Sequence, residues 1–278
     1  MSIIERSLQK MASGARAGAA SPAAPRSPAA PSARTSRQPD ATPLAPARQF
    51  QEVQLDASVL ERNRVIAGVN DSSSTSAYKI LRTRLLQRLA TNSWYSVGVT
   101  GTVSGEGKSL TAINLAITLA RDVNTSVFLV DLDLQRPSVA AHLGMPFDKG
   151  LSDYLSGNAS FEEIVYSPGI ERLAVVPNSR GAAQPSELFG SPRMDELVAH
   201  LQAEQPRRVI VYALPPLMMS DDVLSFAPRA DGLLLVVSQG MTDRKTLESA
   251  GEILAEMNLI GVVLNRSTEH DEQGYGYF

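Results

Sequence analysis

Thr100–Leu110 reads T-G-T-V-S-G-E-G-K-S-L. An apolar run with β character, Tyr95–Thr100, leads into it, and a helical apolar pattern runs on from Ser109 to about Ala120. Strand, glycine-rich turn, Gly-Lys-Ser and helix is the arrangement that cradles the phosphates of a nucleotide. Gly105 and Gly107 let successive backbone N–H groups turn inward onto phosphate oxygens, and the helix adds its positive N-terminal end. Ser104, Gly105, Glu106, Gly107, Lys108, Ser109 and Leu110 are therefore the candidate nucleotide-binding residues. Lys108 is placed to neutralise the β- and γ-phosphates, and the Ser109 hydroxyl to ligate Mg²⁺. One position departs from the pattern: Thr102 stands where glycine is usual.

A second group lies where another apolar strand, Val127–Val130, ends in D-L-D-L-Q-R-P. A carboxylate at the end of a buried strand is costly without a charged partner, and Mg²⁺, its water or an attacking hydroxyl would be one. Alternation along a regular strand sends Asp131 and Asp133 to opposite sides. Asp131 is expected to face the metal and the γ-phosphate. Asp133 acts behind it or after a turn, or else only caps the segment that follows. The strand Arg208–Ala213 leads to L-P-P. In a P-loop protein such a strand normally ends in an aspartate that holds the Mg²⁺ water; here the place is Ala213. Asp221 and Asp222 read as helix caps rather than replacements.

Asn265 and Arg266 follow the last strand, at the end of the sheet where sites form. Asn265 there bonds the edge of a base, or is a turn residue. Tyr275 and Tyr277 sit in the terminal G-Y-G-Y-F as candidate phosphate acceptors, with no role as the alternative. His142, His200 and His270 have no metal-ligand spacing and are read as non-functional.

To place these groups the chain alternates strand and helix from Tyr95 onward. Strands are predicted at Tyr95–Thr100, Thr125–Asp131, Leu173–Val176, Val209–Ala213, Gly232–Ser238 and Ile260–Leu264. Helices are predicted at Ser109–Arg121, Ser138–Leu143, Met194–Ala203, Asp221–Ala227 and Asp243–Met257. Short β-branched strands in such alternation mean an α/β fold with a doubly wound, mostly parallel sheet and helices on both faces. Its site lies at the carboxyl ends of the strands. Ahead of it, Thr75–Ala90 carries Tyr78, Leu81, Leu85, Leu86 and Leu89 at helical spacing and is predicted to pack on the core.

The 278 residues include no cysteine, which excludes disulfides, thiolate metal sites and a thiol nucleophile. Net charge is −3, so bulk charge gives no support for nucleic acid as a partner. No apolar run reaches membrane-spanning length, and Glu5, Arg6, Gln9 and Lys10 interrupt any signal-peptide core. Residues 1–50 read as a short helix at Ser2–Met11 followed by a disordered Ala/Pro/Ser-rich arm. That arm carries net charge +5 against −8 for the rest. It is a solubilising linker or an arm that visits an anionic membrane surface. Residues 51–94 form a lead-in with the packing helix, 95–266 the ATP-binding domain, and 267–278 a flexible tyrosine-bearing tail.

Taken together, these residues resemble the bacterial tyrosine kinases of capsule and exopolysaccharide biosynthesis, the CpsD/CapB type. The resemblance covers about Ser58 to Phe278. It rests on G-E-G-K-S-L-T-A-I-N-L-A, V-F-L-V-D-L-D-L-Q-R-P, the L-P-P, A-Y-K-I-L-R-T-R-L and the Gly/Tyr tail. It implies a MinD/ParA-like fold that binds Mg-ATP and transfers the γ-phosphate to tail tyrosines of a neighbouring subunit. It implies self-association in trans and a membrane partner of the polysaccharide co-polymerase type, which brings the protein from the cytoplasm to the inner face of the membrane. Lys108 and Ser109 map onto the family's phosphate and Mg²⁺ residues, and Asp131 and Asp133 onto its second acidic motif. Tyr275 and Tyr277 map onto its phosphorylation cluster. The chain departs from the family at Ala213 (Asp in the family), at Gln135 (Arg), at Ser76-x-x-Lys79-x-x-Arg82 (Glu-x-x-Arg-x-x-Arg) and in a tyrosine cluster reduced to two. Ala213, native or substituted, is expected to slow transfer and to leave ATP binding intact. Two other readings remain: an ATP-gated regulatory scaffold of an export complex, and a ParA/MinD-type ATPase switch.

Overall fold

A computed structural model describes residues 50–66, 73–179, 185–203 and 207–267. The N-terminal arm and the tail with Tyr275 and Tyr277 lie outside the described residues. In chain order the elements are β1 (Gln51–Glu52), α1 (Ala57–Arg62), α2 (Ser73–Asn92), β2 (Ser96–Gly101), α3 (Lys108–Ala120), β3 (Ser126–Asp131), α4 (Val139–Leu143), α5 (Leu151–Leu155), β4 (Tyr166–Ser167), β5 (Leu173–Val176), α6 (Pro185–Phe189), α7 (Pro192–Gln202), β6 (Arg208–Ala213), α8 (Asp222–Phe226), β7 (Gly232–Ser238), α9 (Arg244–Leu254) and β8 (Leu259–Asn265).

The strands form one sheet in the order β1-β4-β5-β3-β6-β2-β7-β8. Its neighbours are parallel except for β4 and β5, which run antiparallel. The central strands are buried almost throughout, with apolar middles, because both faces are covered. On β3 and β6, Val127, Leu129, Val209, Val211 and Ala213 join the core cluster of α3. The alternate residues Phe128, Val130, Ile210 and Tyr212 join the opposite cluster, with Leu197 and Leu201 of α7 and Phe226 of α8.

Helix α3 explains its own composition. Its first residue is the P-loop lysine, and Ile113, Leu115, Ile117 and Leu119 are all buried. It is buried all round because the sheet covers one side and α2 packs on another. Leu85 and Leu89 of α2 belong to the same core cluster, and Arg82 Nη1 donates to the Thr118 carbonyl at 3.3 Å. The one amide in the middle of α3, Asn114, is satisfied. Its Oδ1 accepts from Ile66 N at 3.0 Å and its Nδ2 donates to the Arg64 carbonyl at 3.2 Å. A polar side chain inside the helix thus pins the lead-in segment to the P-loop helix. Far below the site, Asp231 Oδ2 accepts from Tyr95 N, Ser96 N and Ser96 Oγ, each at 2.8 Å, and fixes the start of β2 against β7.

Candidate active site

The carboxyl ends of β2, β3, β6, β7 and β8 meet at one rim, and the P-loop rises from β2. Gly105 and Gly107 have φ of +89° and +91°, in the left-handed region that glycine alone enters without strain. Space imposes the same choice at Gly107, where a Cβ would come 2.2 Å from Asn265 Nδ2.

Glu106 holds this loop in shape. Its carboxylate is buried and accepts from Thr102 N, Thr102 Oγ1, Val103 N and Thr242 Oγ1. This gives the departure at Thr102 a physical reason, since its hydroxyl supplies a donor that glycine lacks. A buried carboxylate with this many donors is a tie between the P-loop and the loop after β7. Thr242 escaped sequence reading; its only signal was its place just past the carboxyl end of a strand.

Lys108 opens α3 and points across the rim to the acidic segment. Its Nζ lies 3.1 Å from Asp133 Oδ2, with the two side chains 12% and 5% exposed. The other oxygen, Oδ1, accepts from Arg136 N at 2.9 Å. Asp131 is engaged differently. Its Oδ2 accepts from Ser138 N and Val139 N, both at 2.9 Å, and its Oδ1 accepts from Asp133 N at 3.3 Å. Of the expected settings, the structure shows the turn for Asp133 and a backbone-bound carboxylate for Asp131. Strand β3 ends at Asp131, so regular alternation does not extend to Asp133. The turn brings Asp133 to the phosphate lysine and sets Asp131 on the backbone at the start of α4. Burial pushes the Asp131 carboxyl up to about 7, against the pull of those three N–H donors and with a small push from the Asp133 charge.

Ala213 is buried at the end of β6, as register partner of Asp131 on one side and Val99 on the other. A carboxylate there would stand on the same face as Asp131. Beyond it, Leu217 N and Met218 N donate to the Gly101 and Thr102 carbonyls at 2.8 and 3.1 Å, so the segment after L-P-P runs along the base of the P-loop. Asp221 takes the N-cap position of α8 without a side-chain bond to that helix. Asp222, expected as a cap, is buried and instead accepts from Gln135 Nε2 at 3.1 Å, linking the acidic segment to α8.

Asn265 and Arg266 meet the P-loop from the other side. Asn265 Nδ2 donates to the Glu106 carbonyl at 2.8 Å, and Arg266 Nη2 donates to the Gly105 carbonyl at 2.9 Å. Asn265 Oδ1 accepts from Arg266 N at 2.9 Å. Of the other nucleotide candidates, Ser109 is buried, Ser104 is exposed at the loop tip, and Leu110 packs against the core. Among the described histidines, His142 Nδ1 lies 2.7 Å from the Ser138 carbonyl and His200 stacks on Phe161 at 5.1 Å.

Ser109, Asp131 and Asp133 offer oxygen donors only, the type that Mg²⁺ takes. Among the described residues no group of three His, Cys, Asp or Glu converges as a metal cage. A hydrated Mg²⁺ shared with substrate phosphates needs only one or two carboxylates, so these residues fit it.

Comparison with known proteins agrees with this geometry. The family model described as the CobQ/CobB/MinD/ParA nucleotide binding domain matches residues 97–275. Tyrosine-protein kinase YwqD of Bacillus subtilis (strain 168) is 30% identical over 78% of this chain and 92% of its own length. The succinoglycan biosynthesis transport protein ExoP of Rhizobium meliloti (strain 1021) is 27% identical over 78% of this chain, which spans only 28% of that longer protein. The crystal structure of the VpsO kinase domain matches with a TM-score of 0.63 at 27% identity, over 74% of this chain and 98% of that one. With its P-loop, its acidic segment and these matches, the chain belongs to the CobQ/CobB/MinD/ParA nucleotide-binding family and, within it, to the bacterial tyrosine-protein kinases.

Proposed function

We propose that this chain is an ATP-dependent tyrosine autokinase that regulates exopolysaccharide polymerisation or export and phosphorylates Tyr275 and Tyr277 of a neighbouring copy. The observation that carries this reading is the Lys108–Asp133 pair at 3.1 Å beside a loop built to hold phosphate. Lys108 is the charge that a β/γ-phosphate needs. Asp133 stands 3.1 Å from that lysine, where a carboxylate would be placed to take the proton of an incoming phenol. The Glu106 tie and the Asn265 and Arg266 bonds hold the loop rigid, so binding the phosphates costs little ordering. Mg²⁺ bound at Ser109 and the acidic segment would neutralise charge on the phosphates.

Ala213 sets the rate in this account. Without a carboxylate at that place the chain binds Mg-ATP and transfers phosphate slowly. The polysaccharide setting is supported by the similarity to ExoP, a succinoglycan biosynthesis transport protein. A membrane co-polymerase as activating partner, recruitment to the inner membrane face and the tail as phosphoacceptor belong to this proposal. Among the described residues no helix is long and apolar enough to cross a membrane. A second reading, an ATP-gated regulatory scaffold, is favoured by Ala213 itself.

A mixing experiment tests the proposal. The full chain carrying Ala213→Asp is incubated with Mg-ATP and a size-tagged Lys108→Met copy. Phosphotyrosine on the tail of the tagged copy supports transfer in trans. Phosphotyrosine confined to the intact copy overturns the trans step, and its absence from both favours the scaffold.

A further inference from the structure

The chain has no cysteine, so its eight methionines carry all of its sulfur. Their placement is not even. Met145 and Met194 are buried in the core and Met257 packs against it, whereas Met218, Met219 and Met241 are 40%, 54% and 44% exposed. These three occupy the two segments that flank the P-loop tip, one following β6 and the other following β7. Two of the sulfurs accept from donors at the loop, one from Ser104 within it and one from Arg266, which is itself bonded to it. Ser104 Oγ donates to Met219 Sδ at 3.2 Å. Arg266 Nη1 donates to Met241 Sδ at 2.9 Å, while Nη2 of the same guanidinium donates to the Gly105 carbonyl at 2.9 Å. The Met241 methyl also covers Gly105, since a Cβ there would come 3.2 Å from it.

A thioether is an apolar side chain that mild oxidants turn polar and bulkier, and exposure decides which ones react. We propose that Met219 and Met241 form an oxidation site through which a peroxide loosens the P-loop. This inference rests on the nucleotide-binding reading of that loop. In the reaction a sulfur lone pair attacks one peroxide oxygen, the O–O bond breaks and an S–O bond forms. The sulfur loses two electrons, and the departing hydroxide takes the proton of the oxygen now on sulfur and leaves as water.

The consequence follows from the distances. An oxygen added on the donor side of Met241 Sδ does not fit within the present 2.9 Å, so the Arg266 guanidinium must retreat. Its second bond, to the Gly105 carbonyl, retreats with it. The same insertion at Met219 displaces the Ser104 hydroxyl. On the other sulfur face the oxygen makes polar the group whose methyl covers Gly105. Either epimer disturbs the loop tip, and the thioether is restored by the two epimer-specific methionine sulfoxide reductases.

The test uses the full chain and graded hydrogen peroxide. Sulfoxide is mapped by peptide mass spectrometry, and amide exchange is followed across Thr102–Gly107. Affinity is measured with a fluorescent ATP analogue and Mg²⁺. Sulfoxide is expected at Met219 and Met241 before Met145 and Met194. Loop exchange then rises at least about threefold and affinity falls roughly fivefold, the equivalent of one net hydrogen bond. Met→Leu swaps conserve volume, so the Met219→Leu/Met241→Leu chain serves as the control. Its exchange and affinity should not respond to the same treatment, and the reductases should restore the native chain. Unchanged loop exchange with both sulfurs oxidised overturns the proposal, as does an equal response in the double variant. If the chain binds no nucleotide, the exchange measurement still decides the matter, so the two failures are told apart.

Discussion

Lys108 Nζ and Asp133 Oδ2 stand 3.1 Å apart at the mouth of the P-loop, both largely buried. Each is held by a different layer: Lys108 by the start of α3, Asp133 by the Arg136 N–H in the turn after β3. In the proposed reaction the lysine that binds phosphate and the acid that takes the phenol proton therefore share one place. Their coupling makes separate demands on binding and on transfer.

Replacing Asp133 with Asn should separate the two. With its charged partner gone, Lys108 is freer for phosphate, and ATP affinity should hold or rise by up to about tenfold, the worth of one charge-assisted bond. Transfer to tyrosine should fall by about 10²- to 10⁴-fold, as for loss of a general base. Titration calorimetry beside a phosphotyrosine assay checks both. A parallel loss of affinity and transfer would remove Asp133 from the proton-accepting role.

Asp131 sets a pH dependence. Its folded-state carboxyl is raised from the ordinary aspartate range to about 7, mainly by burial. Below about pH 4 it is protonated in both the folded and unfolded chain. Between pH 4 and 7 only the unfolded chain releases the proton, so the folded state loses stability as pH rises. The loss is complete above about 7 and amounts to roughly 4 kcal/mol at most. Asp131→Asn does not ionise. The stability of the native chain minus that of Asp131→Asn, from urea unfolding without Mg²⁺, should therefore fall steadily from pH 4.5 to 7.5. A flat difference would mean that Asp131 is ionised throughout.

Glu106 is expected to matter although it is buried beneath the loop. Glu106→Gln puts an NH₂ group against donors from Thr102, Val103 and Thr242. Leaving such donors unpaired costs about 1–3 kcal/mol each. The variant should melt earlier, and ATP affinity should drop with it. Thr242→Val should show a smaller change in the same direction, measurable by thermal unfolding with and without Mg-ATP.

Much of this was legible in the chain, and the misses share a cause. The central strands are β-branched runs with sharp ends, so their existence could be read, with boundaries shifted by a residue: Arg208–Ala213 for Val209–Ala213, and Leu259–Asn265 for Ile260–Leu264. Two-residue strands such as Tyr166–Ser167 carry no period to detect, and the five residues of α5 carry barely one helical turn. The P-loop was legible because its chemistry is contiguous in sequence. The Thr242–Glu106 tie was not, because its partners lie 136 residues apart. Asp133 was read as acting behind Asp131 or after a turn, and the turn after β3 brings it to Lys108; the backbone N–H partners of Asp131, seven and eight residues on, were not legible. Asn265 was read as a base contact or a turn residue. Its amide donates to the Glu106 carbonyl, a partner that sequence could not supply.

Restoring an acid at Ala213 bears on the central claim. Ala213→Asp places a second carboxylate beside the buried Asp131 across the β3–β6 register. Like charges brought together in a buried place should lower stability without metal by about 1–3 kcal/mol. Mg-ATP should recover much of that loss, because an ion that binds only the folded chain stabilises it.

The most direct measurement is phosphotyrosine mass spectrometry on the native chain and on Ala213→Asp after incubation with Mg-ATP. The expected result is phosphate on Tyr275 or Tyr277, weak or absent in the native chain and strong in the Asp version. ATP bound by both chains with no phosphotyrosine on either would contradict an autokinase and leave the regulatory scaffold as the function of this site.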